Sequence, residues 1–204
     1  PHPQAALPPR LYATLARRLA HLSPTARGVA NLGATVGRAF SWELLSRALP
    51  DDEAQLLDGL DELWQKGILR EESANIYDFT HDKLREVAYA EISVPQRRVL
   101  HRRVAQALEA LNAEGLDPVS AQIAAQYDQA GLPDQALPYY QRAGLVAARL
   151  YANEDAIAWL RRALVLLQEQ PATTQRDTTE LALQFALARL YRITQGWAAP
   201  EVEQ

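Results

Sequence analysis

Cysteine and methionine are both absent from the 204 residues. Without a thiol the chain has no disulfide framework, no thiolate metal site and no cysteine nucleophile. No apolar run approaches the roughly 20 residues of a membrane span. No charged, apolar, small-residue leader opens the sequence, so a cytoplasmic home with no membrane attachment is expected. The first residue is Pro1, which together with the missing methionine reads as a piece of a longer protein. A basic excess is missing too, and the net charge of -4 counts against a dedicated nucleic-acid binder. The four histidines, His2, His21, His81 and His101, have no metal-ligand spacing, so no metal site is expected. Asp82 and Glu86 share a helical face, but Lys83 and Arg85 surround them as on a solvated surface. No catalytic residue is expected.

What is present is ordinary for a globular protein: 48% hydrophobic and 23% charged residues, enough for one large or two small domains. The proline-rich residues 1–9 read as a linker or frayed end. Leu11, Leu15, Leu19 and Leu22 give a short amphipathic helix, with Arg17 and Arg18 where the helix dipole favours cations. Ser23-Pro24 reads as cap and first residue of a second helix carrying Val29, Leu32 and Val36. Ser41 caps a third, and a fourth runs from about Asp52 to Lys66, ended by Gly67. Residues 68–71 and 76–80 alternate as the strands of a hairpin turning at Ser73-Ala74-Asn75. Three helices followed by a hairpin is the order of a winged helix.

The run YDFTHDKLREVAYAEI, Tyr77 to Ile92, joins the returning strand to a helix with His81 and Asp82 at the junction. Thr80 or Asp82 could cap that helix, whose N-terminal N–H groups favour an anion. Pro95 opens a further helix to about Asn112, and helices follow near 119–130, 134–150, 153–169 and 177–194. DQALPYYQRA from Asp134 lines up with EDAIAWLRRA from Glu154, so Ala136, Tyr139 and Ala143 correspond to Ala156, Trp159 and Ala163. Small residues at that spacing let a neighbouring aromatic approach, as in tetratricopeptide-type hairpins. Ala130-Gly131 and Gln195-Gly196 read as equivalent turns.

The expected fold is therefore all-α with one small β-hairpin. Residues 1–22 form a linker and a preceding helix, 23–93 a winged-helix-like domain, 94–116 a bridging helix, and 117–204 a truncated tetratricopeptide-like superhelix.

The fourth helix holds the recognition position of a winged helix, yet Asp51, Asp52, Glu53, Asp58, Asp61 and Glu62 face a single Lys66. Such a surface repels a polyanion, so no DNA binding is expected and a protein partner is expected instead. Arg97, Arg98, His101, Arg102 and Arg103 cluster early in the bridging helix. They read as a solvated face, as an interface, or as the charge partners of the acidic helix. Tyr139, Tyr140, Tyr151 and Trp159 read either as packing between repeat helices or as the lining of a peptide groove.

The segments LARRLAHLSPTARGVANLGATVGRAFSWELL, LDGLDELWQKGILRE, YDFTHDKLREVAY, RRVLHRRVAQALE and AAQYDQAGLPDQALPYYQRAG, taken in order, resemble a known family. They are similar to the region just C-terminal to the ATPase core of bacterial STAND-type signalling ATPases. That group includes large LuxR- and SARP-type transcriptional regulators and cyclase-linked ATPases. THDKLREVA also resembles the MHD motif of the related NB-ARC proteins, with Thr80 in place of the methionine. The resemblance implies that His81 senses the β-phosphate of ADP and that Asp82 orients the turn. It implies ATP or ADP in the full-length protein and an upstream nucleotide-binding domain as the partner of the winged domain. No GxxxxGKS/T loop and no acidic metal-binding strand occur here, so no cofactor is expected on this chain itself. Against the sensor reading of His81 stands a histidine hydrogen-bonded at a strand–helix corner. Against the regulatory reading of the whole stands a protein-binding scaffold with a passive spacer.

Overall fold

The computed structural model describes residues 8–195, apart from 38, 50 and 51. His2 and the prolines at 1 and 3, Asp51 of the acidic helix and Gly196 of the expected last turn lie outside the described residues. Those described form ten α-helices and one three-stranded antiparallel sheet. The chain divides into two compact units, Pro1–Ala107 and Leu108–Gln204, so the division falls within the expected bridging helix.

In the first unit α1 (Pro9–Ala20) buries Leu15 and Leu19 and packs on α5 (Asp82–Glu91), where the Tyr12 hydroxyl donates to Glu91. Helix α2 (Pro24–Val36) starts as its sequence dictates: the Ser23 hydroxyl accepts the Ala26 N–H at 3.1 Å and Pro24 holds the first helical position. Its Val29, Ala30 and Leu32 are fully buried between α4 (Glu53–Gln65) and α5. A two-residue strand β1 (Phe40–Ser41) follows, and Ser41 caps α3 (Trp42–Ala48) by accepting the Leu44 N–H. Gly67, at φ +60°, ends α4: its N–H bonds Trp64 O and the next N–H, of Ile68, bonds Leu63 O. That pair of bonds is the Schellman arrangement, which needs the left-handed residue glycine supplies.

Two helix ends then close on each other. The Arg18 guanidinium, on α1, donates to Lys66 O at the end of α4 at 2.8 Å. The Lys66 ammonium donates to His21 O at the end of α1 at 2.6 Å. Each cation satisfies the orphan carbonyls of the other helix, where the dipole favours positive charge. Arg17, Arg18, His21 and Lys66 thus line a cleft whose cations are there to neutralise helix ends.

The sheet has strand order β1-β3-β2, from β2 (Leu69–Ser73) and β3 (Ile76–Phe79). The hairpin expected from the sequence is present, and β1 adds an edge to it through Phe40 opposite Tyr77. Phe40 is buried because Gly33 leaves room for its ring; a Cβ at Gly33 would overlap it. Helix α6 (Val94–Leu111) follows α5.

The second unit takes in the end of α6, a 3-10 turn (Asp117–Val119), α7 (Ser120–Gln129), α8 (Pro133–Arg149), α9 (Asn153–Gln168) and α10 (Thr174–Gln195). Each of these α-helices packs on the next, α7 on α8, α8 on α9 and α9 on α10. The repeat positions Ala136, Ala143, Ala156 and Ala163 are all buried. At Gly144 α8 and α9 approach closely, since a Cβ there would come within 2.6 Å of the Leu160 side chain.

Candidate functional site

The strand–helix corner at Thr80–Asp82 is held from both sides. In the hairpin Leu69 lies opposite Phe79 and Arg70 opposite Asp78, and both Leu69 and Phe79 are buried. The alternation therefore sends Arg70 and Asp78 away from the core. Pairing slips between Glu71 and Ser73, a bulge that leaves Glu72 as the extra residue on its strand. Thr80 ties the corner down: its N–H bonds Ile68 O at 3.0 Å and its hydroxyl donates to Gly67 O at 2.9 Å. The hydroxyl thus turns toward the end of α4, and Thr80 stands one residue before the cap position of α5. The cap position falls to His81, in extended conformation and with no side-chain capping bond, and Asp82 is the first helical residue.

What results is an open cleft of about 600 Å3 lined by Arg70, Glu72, Asp78, Thr80, His81 and Asp82, with Ala39 and Phe79 beneath. His81 is exposed, and its ring has no hydrogen bond or ion pair to any described residue. The corner histidine satisfied by its own fold, expected as the alternative, is not what this position holds. Asp78 accepts the N–H of Phe79 at 2.7 Å, so that carboxylate is partly engaged. Three carboxylates against Arg70 and one imidazole make the cleft a poor anion trap by itself.

The other expected interface residues fare differently. Arg98 and Arg102 are exposed, and neither they nor Arg103 carry an ion pair among the described residues. The acidic helix α4 is not their charge partner. Its Glu62 instead accepts from the Lys66 ammonium at 2.7 Å and from the Ser23 N–H at 3.1 Å, contacts that hold its pKa down to about 2. Arg97 turns back to α5, donating to Ala90 O and lying 4.4 Å from the centroid of the Tyr89 ring. His101 is buried at 5% exposure, with a ring nitrogen 2.9 Å from the Tyr89 hydroxyl, and so belongs to the packing of α5 on α6. It is not a surface residue.

Tyr140 is buried and Tyr139 half-buried, each against another aromatic ring. Tyr139 stacks on Tyr127 with ring centroids 6.0 Å apart, and Tyr140 on Trp159 at 5.8 Å. The repeat equivalents Tyr139 and Trp159 thus each stack on a tyrosine of the preceding helix. A carboxylate accompanies each stack, which periodicity did not announce. Glu109 accepts from both Tyr127 and Tyr139, at 2.8 and 2.6 Å. Asp128 accepts the Arg162 guanidinium at 2.7 and 2.6 Å and the Tyr140 hydroxyl at 3.1 Å. Burial, reinforced by these carboxylates, pushes the Tyr139 and Tyr140 hydroxyls up to about 12 and Tyr127 higher still. Tyr151 alone of the expected aromatic set is fully on the surface, 87% exposed.

Among the described residues no group of three or more His, Asp and Glu side chains is placed to hold a metal. No described helix is long and apolar enough to cross a membrane.

No family model matches the chain, and no solved structure matches it. An uncharacterized protein of Rhizobium meliloti (strain 1021) is 31% identical to it over 176 residues, 84% of this chain. The chain spans 17% of the length of that relative.

Proposed function

We propose that this chain is the regulatory part of a STAND-type signalling ATPase, coupling the nucleotide state of an attached core to partner binding. The observation that carries the reading is His81, an exposed imidazole with no partner among the described residues, at the rim of an open polar cleft beside the N-terminus of α5. In this reading the first unit is a winged-helix latch. His81 reaches out to the β-phosphate of ADP held by the core, and Asp82 keeps the turn in register. Nucleotide exchange changes the charge and reach of that phosphate, which shifts the latch between two positions. The core supplies the phosphate cradle, so the chain alone binds nucleotide poorly. The second unit, a tetratricopeptide-like array, carries the change onward to a protein or peptide in the cytoplasm.

Tyr139 and Tyr140 stack on neighbouring aromatics and bond carboxylates, which supports packing between helices over a peptide groove. Helix α4 supports docking on protein. Leu57 and Trp64 are 47% and 54% exposed and lie one turn to either side of the exposed Asp61, with Asp58 exposed beside Leu57. Apolar side chains rimmed by acids suit a protein surface carrying cations and repel duplex DNA.

The deciding experiment places His81→Ala in the protein with its nucleotide-binding core attached and measures retention of ADP. The variant should release ADP at least about ten-fold faster; unchanged retention removes the sensor role. Duplex DNA titrated onto the chain at 50 mM salt should show no binding tighter than about 100 µM.

A further inference from the structure

Helix α10 is apolar on two opposite faces. Leu183, Leu187, Leu190 and Tyr191 are buried, and α10 packs on α9. On its other side Asp177, Leu181, Phe185 and Arg189 follow one another at four-residue intervals, which makes them one ridge along the helix. Leu181 is 55% and Phe185 74% exposed. Asp177 and Arg189 are exposed at the two ends of the ridge, and neither side chain has a partner among the described residues.

From this ridge we infer that α10 pairs with α10 of a second copy of the chain, antiparallel, about a two-fold axis at residue 183. The order acid, leucine, phenylalanine, arginine is its own complement when reversed. The two-fold sets Leu181 against Phe185 of the other copy and Asp177 against its Arg189, and each contact occurs twice. A parallel pairing would place Asp177 on Asp177 and Arg189 on Arg189, and is disfavoured for that reason. No like charges meet in the antiparallel register: Arg192 falls opposite Thr174, and Thr178 opposite Ala188. Glu180 is already paired with Arg176 on its own helix. The contact is short, well below the roughly 800 Å2 per partner of a standard interface. It is therefore a weak association, with a dissociation constant on the order of 100 µM. This inference stands on α10 alone and is independent of the role of His81.

The test is sedimentation of the full chain over a concentration series, with helical content checked by circular dichroism. The wild type should show a monomer–dimer equilibrium. Asp177→Arg and Arg189→Asp should each weaken it about ten-fold, since a reversal converts two attractive contacts into two repulsive ones. The double variant Asp177→Arg/Arg189→Asp should return to within about two-fold of the wild type, and Phe185→Ala should weaken it without loss of helix. Three results overturn the proposal: a wild type that stays monomeric to about 1 mM, single reversals without effect, or a double variant as weak as either single. The last would mean that some other helix covers this face.

Discussion

In the second unit the half-buried carboxylates Glu109 and Asp128 turn to the fold itself, each accepting from the hydroxyls of stacked aromatics. In residues 1–107 the chemistry points outward. His81, Arg98 and Arg102 stand exposed, while Arg18 and Lys66 serve helix ends. A polar group shielded from water is costly unless paired, so the inward set is a set of staples. A polar group left in water contributes little to folding and is available for something else. The difference separates the packed helices α7, α8 and α9, whose carboxylates hold them together, from the corner and basic run of the first unit, whose charges are free to meet a partner.

The sharpest way to break that contrast is to remove one staple. Asp128→Ala leaves the Tyr140 hydroxyl and the Arg162 guanidinium without their shared acceptor. The loss should be about 3 kcal/mol, since a buried hydroxyl and a charged donor lose their bonds together. Urea unfolding followed by circular dichroism measures it. A loss under about 0.5 kcal/mol would show that the carboxylate is an ornament of the surface.

Two sites, one in each unit, should also answer pH from opposite ends. The raised pKa values of Tyr139 and Tyr140 mean that the folded state prefers the protonated hydroxyls. Their contribution is complete below the unfolded value of 10 and is lost as pH rises through about 12. Glu62 is the reverse case. Its pKa is lowered in the fold by Lys66 and Ser23, so its contribution is complete above 4.5 and is lost as pH falls through about 2. Circular dichroism should therefore report loosening of the second unit as pH rises from 10 to 12. Tyr140→Phe should flatten that limb, and Glu62→Gln the acid limb.

How far all this could be read beforehand depends on the range of the interaction. The helices were legible, because Ser23-Pro24, Ser41 and Gly67 are local signals and the leucine spacing needs no partner. Strand β1 was not, since two residues carry no period and Phe40 owes its place to Gly33 and to Tyr77 across the sheet. The capping role offered to Thr80 failed because the cap position falls one residue later, at His81, and the Thr80 hydroxyl turns the other way to donate to Gly67 O. His101 was hidden in an arginine run that reads as one solvated face, although the ring lies on the side of the helix that meets Tyr89. Glu109 reaches tyrosines 18 and 30 residues away, a pairing no pattern along the chain encodes. The exposure of His81 was open to reasoning only because the corner is so short: a strand that buries Phe79 and a helix that buries Leu84 leave the residue between them facing out.

A smaller effect comes from two turns that share a geometry but not a residue. Gly131, at φ +74°, ends α7 with its N–H on Asp128 O and the next N–H on Tyr127 O. Tyr151, at φ +61°, ends α8 with the same pair of bonds, to Ala148 O and Ala147 O. A left-handed conformation costs an L side chain about 1 kcal/mol that glycine does not incur. Gly131→Ala should thus destabilise, and Tyr151→Gly stabilise, by about 1 kcal/mol each. A Tyr151→Gly that destabilises would reveal a use for that exposed ring.

The smallest change should come from His81→Ala. With no partner among the described residues and the residue exposed, its loss should alter the free energy of unfolding by less than about 0.5 kcal/mol. That near-silence matters because it is paired with a large effect expected on ADP retention when the nucleotide-binding core is attached. A residue that supports only the fold moves stability first and function in proportion; a residue that touches a neighbour moves function and leaves stability alone. If His81→Ala costs more than about 1.5 kcal/mol in the isolated chain, the imidazole is a strut of the corner. The outward character of the first unit then rests on its arginines alone.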